Sequence, residues 1–258
     1  MIQTYLLTTD SLPDPEKHPT AWETCLRRLP AERIGNIRRM RHTEQKKQSL
    51  GAGLLMQDML KRLALQAEIT YEAYGKPVCQ QLPFNLSHTR EAVILSVWEG
   101  GRERDDAGIF IGCDIEQIKP YPKGIAKRFF TEAESAGLEA IGDPAVQAER
   151  FCRYWTKKES VMKLTGLGLS LPMQLYDVRD RQAAVDRSKT RIWYEKGCQK
   201  EFETERKKAE FVQAANLLLE KKLCFKEYRY QGCCISVCAT VDRFASDYIL
   251  AKSGAEGI

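Results

Sequence analysis

Two acids stand two residues apart in GCDIEQI: Asp114 and Glu116, at the end of an apolar run. On a strand that spacing points both side chains to one face. Two like charges held side by side repel, and burying them is costly unless something neutralises them. A divalent cation does so, and hard oxygen donors suit Mg²⁺ better than zinc. D-x-E by itself is more often a solvated strand end. A third acid, Glu159 in FCRYWTKKES, shifts that balance. Cys152, Trp155, Glu159 and Met162 fall at helical spacing on one face, and Val161 and Leu164 mark the helix as one that packs. A carboxylate inside a packing stripe is a misfit unless it has a buried partner. A Mg²⁺ site shared by Asp114, Glu116 and Glu159 gives it one. Lys163, four residues after Glu159, reads either as its ion-pair partner along the helix or as a contact to phosphate.

Such a site needs a strand and a helix that meet. Residues 1–8 read as a strand and 20–28 as a helix. The stretch 30–65 is helical, with a stripe of Leu50, Leu54, Leu55 and Met59. AVILSVW (92–98) and IFIGCDIEQI (109–118) read as two strands of a hairpin around the polar turn GGRERDDAG. Helices are expected over 125–140 and over the proline- and glycine-free run to Gly166, where GLGLSLP stops the second. Farther on, 191–194, 223–230 and 233–240 read as strands and 203–222 as a helix. This order fits an α+β fold of two lobes, 1–105 and 106–258, with the 203–222 helix as a possible addition to the second.

The bulk numbers are those of an ordinary globular protein: 258 residues, 43% hydrophobic, 29% charged. No apolar run approaches the roughly 20 residues needed to span a bilayer. MIQTYLLTTD has neither a basic n-region nor a cleavage site, so no signal peptide is expected. Nine scattered cysteines read as reduced thiols in the cytoplasm. In CCISVC, strand alternation puts Cys234 and Cys238 on one face and Cys233 on the other, as small core residues rather than a metal cluster. A net charge of +5 suits a polyanion of some kind. No phosphate-binding P-loop pattern, Ser-His-Asp order or reactive-cysteine setting is present.

The segments GCDIEQIKP (112–120), IAKRFFTEAE (125–134) and WTKKESVMKLTGLGLSLP (155–172), with YGKP (74–77) and FNLSH (84–88) upstream, resemble the surfactin-synthetase type of 4′-phosphopantetheinyl transferases. The likeness runs from about residue 30 to about 175. It implies a pseudo-dimer of two similar lobes with coenzyme A in the cleft between them. It implies transfer of the phosphopantetheine arm to a serine of an acyl or peptidyl carrier protein, with release of 3′,5′-adenosine bisphosphate. By position, Asp114, Glu116 and Glu159 match the Mg²⁺-binding acids, Asp114 also lying at the cofactor. Glu159 matches the base that takes the serine proton, with Glu134 as runner-up. Lys163 and Lys158 match helix lysines near the transferred phosphate. Lys76 and Pro77 match contacts to the adenosine part, Ser87 and His88 to the phosphates, and Arg33 to the 3′-phosphate. Asn36 and Gln48 stand where the family often has basic residues.

A carrier is typically acidic around its serine. Lys119, Lys127, Arg128 and Phe130, or Phe129 beside it, are therefore expected to form a docking surface, one of the two phenylalanines being buried, with no nucleic-acid or membrane partner and a monomeric state. Two other readings stay open: a Mg²⁺-dependent nuclease, and a non-catalytic relative that only binds coenzyme A.

Overall fold

The computed structural model describes residues 1–100 and 108–252. The boundary expected between residues 105 and 106, and most of the GGRERDDAG turn, lie outside the described residues. Strand β1 (Ile2–Thr8) is buried on both faces. Its alternation sends Tyr5 and Leu7 toward one core and Ile2 and Leu6 toward another. Helices α1 (Pro19–Leu26), α2 (Ala31–Arg39) and α3 (Thr43–Arg62) follow, the expected long helical stretch being interrupted where Met40 turns extended. A short hairpin, β2 (Thr70–Tyr71) and β3 (Pro77–Val78), turns at Gly75, whose φ of +86° suits glycine. Then come β4 (Phe84–His88) and β5 (Ala92–Trp98). With β11 (Ile249–Leu250) they form a four-stranded sheet in the order β11-β1-β5-β4. The α3 stripe read from sequence, Leu50, Leu54, Leu55 and Met59, packs on Val93, Leu95 and Val97 of this sheet.

A second sheet, in the order β6-β10-β9, consists of β6 (Ile111–Gln117), β10 (Cys233–Ala239) and β9 (Cys224–Tyr230). The two sheets meet through Ile2, Leu6 and Ile94 on one side and Ile111, Ile115, Ile235 and Val237 on the other. Strand β5 therefore does not form a hairpin with β6. Both of its edges are taken by β1 and β4, and β6 pairs with β10. The two apolar runs are real strands, but burial on both faces hides from the sequence which neighbour each takes.

Helix α4 (Lys123–Phe129) and helix α5 (Glu132–Glu139) replace the single helix expected over 125–140. The break is a capping box, in which Thr131 accepts from the Glu134 N–H and Glu134 from the Thr131 N–H. Helix α6 (Pro144–Thr165) starts at the Asp143 cap and stops at Gly166, at φ +81°. After the short strands β7 (Tyr176–Asp177) and β8 (Ala184–Val185), residues 191–194 lie inside helix α7 (Arg187–Cys198) rather than on a strand. Asp186 caps α7, and Trp193 and Tyr194 pack on Phe211 of α8 (Glu205–Glu220).

Gly112 sets how α6 lies on the second sheet. A Cβ there would stand 1.9 Å from the Ser160 carbonyl oxygen and 2.4 Å from the Leu164 nitrogen. A side chain cannot fit, so the helix backbone rests against the strand. Beside this contact Thr156 and Ser236 share a hydrogen bond of 2.8 Å between α6 and β10. The nine cysteines are free thiols, with Cys233 facing the inter-sheet core and Cys238 the α6 side, as the alternation predicts. Among the described residues no helix is long and apolar enough to cross a membrane.

Candidate active site

Because Gly112 faces α6, so do Asp114 and Glu116, two and four residues on along β6. Asp114 is buried, at 3% exposure, and Glu116 is half-buried at the strand end. Helix α6 brings Glu159 and Lys163 to the same place. The Lys163 Nζ donates to Asp114 Oδ1 at 2.6 Å and to Ser87 Oγ at 2.7 Å. Ser87, on β4, donates to the same Asp114 oxygen at 2.9 Å. Sequence spacing offered Lys163 a partner along its own helix, but the packing gives it Asp114 across the interface. The other carboxylate oxygen, Asp114 Oδ2, is buried with no hydrogen-bond partner among the described residues. Such an atom is rare in folded proteins and calls for a partner of another kind.

The three acids act on one another. Burial first, then the Asp114 and Glu116 charges, push the Glu159 carboxyl from 4.5 up to about 7, with Lys163 opposing. Burial and then Asp114 also raise Glu116. Burial works against the Lys163 charge, but Asp114 leads the groups that hold its pKa above the ordinary lysine value. At the exposed end of β4, desolvation and then the Lys163 ammonium lower the His88 pKa, with Asp114 opposing. As the side chains stand, no group of three His, Cys, Asp or Glu residues among the described residues is arranged to hold a metal ion.

The Glu159 shift has a consequence for stability. A carboxyl whose folded pKa lies above its unfolded one favours folding in its protonated form. That contribution is present below 4.5 and is lost as pH climbs through about 7. With chelator present, thermal stability should fall across that window, and Glu159→Gln should flatten the fall. Melting curves at a series of pH values check this. Parallel profiles for the two proteins would remove Glu159 as the cause.

Other expected site residues lie elsewhere. Glu134 and Lys158 form an ion pair of 2.8 Å, with both side chains at 0% exposure. Glu134 also accepts from the Val178 N–H at 2.7 Å, and Lys158 donates to the carbonyls of Met173 and Tyr176. Both are saturated inside the core between α5, α6 and the chain around β7. Neither is brought to the Asp114 cluster. Helical periodicity explains this: Lys158 sits on the face of α6 that carries Tyr154 and Val161 into that core. Phe130 is likewise buried, at 3%, stacked against Phe151, so it cannot be a surface contact. Its neighbour Phe129 is only partly buried, edge-on to Trp155 and under the Arg128 guanidinium. Lys119, Lys127 and Arg128 are exposed.

Lys76 points toward the end of α6, donating to the Leu164 carbonyl at 2.9 Å, and burial lowers its pKa. Pro77 is half-buried on β3. Arg33 lies along α3, its Nε on the Ser49 carbonyl at 3.1 Å. Gln48 donates to the Thr89 carbonyl, just beyond His88.

The sequence reading missed Asn85 and Gly112. Asn85 Oδ1 accepts from the Cys113 N–H at 2.9 Å and ties β4, hence Ser87, to β6. A polar residue amid an apolar strand pattern was its only signal. Gly112 had a clearer one, as a glycine inside a strand marks a close backbone approach.

Comparison with known proteins bears on this cluster. Residues 110–216 match the model of the 4′-phosphopantetheinyl transferase superfamily. The chain is 35% identical over 165 residues to the 4′-phosphopantetheinyl transferase Sfp of Bacillus subtilis (strain 168), covering 60% of this chain and 69% of that protein. It is 35% identical over 156 residues to the 4′-phosphopantetheinyl transferase ffp of Bacillus subtilis, covering 58% of this chain. In that comparison the chain spans 65% of the relative's length, a little under two thirds. The 4′-phosphopantetheinyl transferase AcpT of Escherichia coli (strain K12) is 36% identical over 104 residues, 38% of this chain and 49% of its own.

Proposed function

The chain belongs to the 4′-phosphopantetheinyl transferase family, and we propose that it moves the 4′-phosphopantetheine arm of coenzyme A onto a serine of an acyl or peptidyl carrier protein. The other product is 3′,5′-adenosine bisphosphate. The observation that carries this reading is the Asp114, Glu116, Glu159 and Lys163 cluster where β6 meets α6. Attack on a diphosphate phosphorus needs positioning and charge stabilisation more than covalent help from the protein.

The donors fit a divalent cation such as Mg²⁺, since they are hard oxygens and Asp114 Oδ2 is a buried acceptor with no other partner among the described residues. Asp114, Glu116 and Glu159 would hold it. When bound, Mg²⁺ supplies charge neutralisation at the phosphate oxygens. Lys163 adds a cation and Ser87 a hydroxyl on the β4 side. His88, favoured in its neutral form, offers a ring N–H to phosphate. Glu159, beside Asp114 and Glu116 on the α6 side of the cluster, is the carboxylate that would take the serine proton. With Glu134 saturated in the core, Glu159 is the base in this reading.

We read the two sheets, backed by the long helices α3 and α6, as the centres of the two lobes 1–105 and 106–258, with β11 of the second lobe returning to edge the sheet of the first. Coenzyme A lies between them, with Arg33, Lys76 and Pro77 on its adenosine side. A monomer acting in the cytoplasm completes the proposal.

The carrier docks on α4 and the loop before it, where Lys127 and Arg128 of the helix and Lys119 of the loop face solvent. Of the two phenylalanines, the partly buried Phe129 takes the aromatic role. A depression lined by Pro120, Ile125, Phe151 and Trp155 adjoins Glu116 here. The double variant Lys127→Glu, Arg128→Glu should raise the KM for an acidic carrier about tenfold and leave the KM for coenzyme A unchanged, because rim charges govern encounter with an oppositely charged partner. Equal KM values for the carrier before and after would move docking off α4.

The direct test incubates the protein with coenzyme A, Mg²⁺ and a panel of apo carrier proteins. A carrier that gains the mass of one phosphopantetheine arm is the expected result. No gain on any carrier, with coenzyme A still bound, would leave only a binding relative. Cleavage of nucleic acid in its place would favour the nuclease.

A further inference from the structure

The segment 181–222 contains α7 and α8 and has no role in the reading above. Helix α8 is not a free decoration. Glu210, with only 11% of its side chain exposed, holds the Ala73 N–H with both carboxylate oxygens, at 2.8 and 3.1 Å. Arg206, one turn earlier, donates to the Tyr71 carbonyl and pairs with Glu210 at 3.3 Å. The Lys207 ammonium lies 5.6 Å from the centre of the Tyr74 ring. Apart from the Arg206–Glu210 pair, these contacts reach the β2–β3 hairpin, more than 130 residues away in sequence for the Glu210 and Arg206 hydrogen bonds.

That hairpin has little to hold it by itself. Its strands are two residues long and share two paired positions, Thr70 with Val78 and Tyr71 with Pro77. Isolated two-stranded hairpins are marginal in water. On its other side Lys76 anchors it too, the Nζ donating to the carbonyl of Leu164, the residue after Lys163. The hairpin is thus pinned between α8 and the end of α6. Bonds from a carboxylate to a backbone N–H are among the stronger hydrogen bonds available.

We propose that α8 positions the hairpin, and with it Lys76 and Pro77, for coenzyme A, and that Glu210 is the positioning residue. The proposal rests on the reading that Lys76 and Pro77 contact the cofactor. Glu210 touches neither substrate. Its loss should loosen the grip on coenzyme A without slowing the step that follows binding.

The test compares wild type with Glu210→Ala and Glu210→Gln. Hydrogen exchange at the Ala73 amide should be faster in Glu210→Ala. The Kd for coenzyme A by calorimetry should rise about tenfold, the scale of one charge-assisted hydrogen bond. In transfer assays kcat and the carrier KM should stay within about twofold, which separates positioning from general loss of structure. Glu210→Gln keeps an acceptor and should recover most of the affinity. Unchanged exchange at Ala73 would overturn the clamp. Faster exchange with an unchanged Kd would overturn its link to the cofactor. If wild type binds coenzyme A but modifies no carrier, the transferase reading fails, and the Kd comparison still decides the role of Glu210.

Discussion

Glu159→Gln should lower transfer of phosphopantetheine by about 10³-fold while the protein stays folded. A positioned general base contributes roughly 10²- to 10⁴-fold, and an amide neither accepts the serine proton nor offers a charged oxygen to a metal. The substitution also removes a charge that burial and Asp114 oppose. Glu159→Gln should therefore melt no lower than wild type at neutral pH with chelator present. Loss of activity without loss of stability is the signature of a group kept for chemistry. Glu134→Gln should do the reverse. It leaves the fully buried Lys158 ammonium without its carboxylate, and breaking a buried pair costs several kcal/mol. Transfer within a few-fold of wild type for Glu159→Gln would overturn its assignment as both base and metal ligand.

Gly112→Ala should destabilise the protein by about 3 kcal/mol or more, since overpacking a tight contact typically costs 1–3 kcal/mol and the new Cβ would meet backbone rather than a movable side chain. For a chain of this size that is a fall of roughly 6–12 °C in melting temperature. The helix can relieve the clash only by lifting off β6. Glu159 and Lys163 would move with it, away from Asp114 and Ser87. The Lys163 bonds of 2.6 and 2.7 Å leave little slack for such a shift. Residual transfer per folded molecule should thus drop as well. Differential scanning calorimetry and kcat at a temperature where the variant is folded separate the two effects. A melting temperature within 2 °C of wild type would mean that the helix does not rest on Gly112 as described, because even a 1 kcal/mol change shifts a domain of this size by roughly that much.

Much of the site could be read in advance because its signals are local. Asp114 and Glu116 share a strand face by the period of two. Glu159 interrupts an apolar stripe on a helix whose ends, Pro144 and Gly166, were plain in the sequence. Lys158 and Glu134 failed the same approach. They look as polar as Lys163 and Glu159, and only their three-dimensional partners distinguish a saturated core pair from a group turned to the site. Phe129 and Phe130 are the same problem in apolar form, adjacent and alike, with one buried by the direction of its Cβ.

The sequence alone determined the mixed α and β elements, the family likeness, and which acids stand on which element. Those follow from periodicity, caps and spacing, which act over a few residues. The tertiary structure decided what touches what. It paired β6 with β10 instead of β5, gave Lys163 to Asp114 instead of Glu159, and left Asp114 Oδ2 without a partner among the described residues. It also attached α8 to a hairpin far back in the chain through Glu210 and Ala73. These contacts join residues tens to more than a hundred positions apart. They depend on how close backbones approach, as at Gly112, and no local pattern encodes that distance.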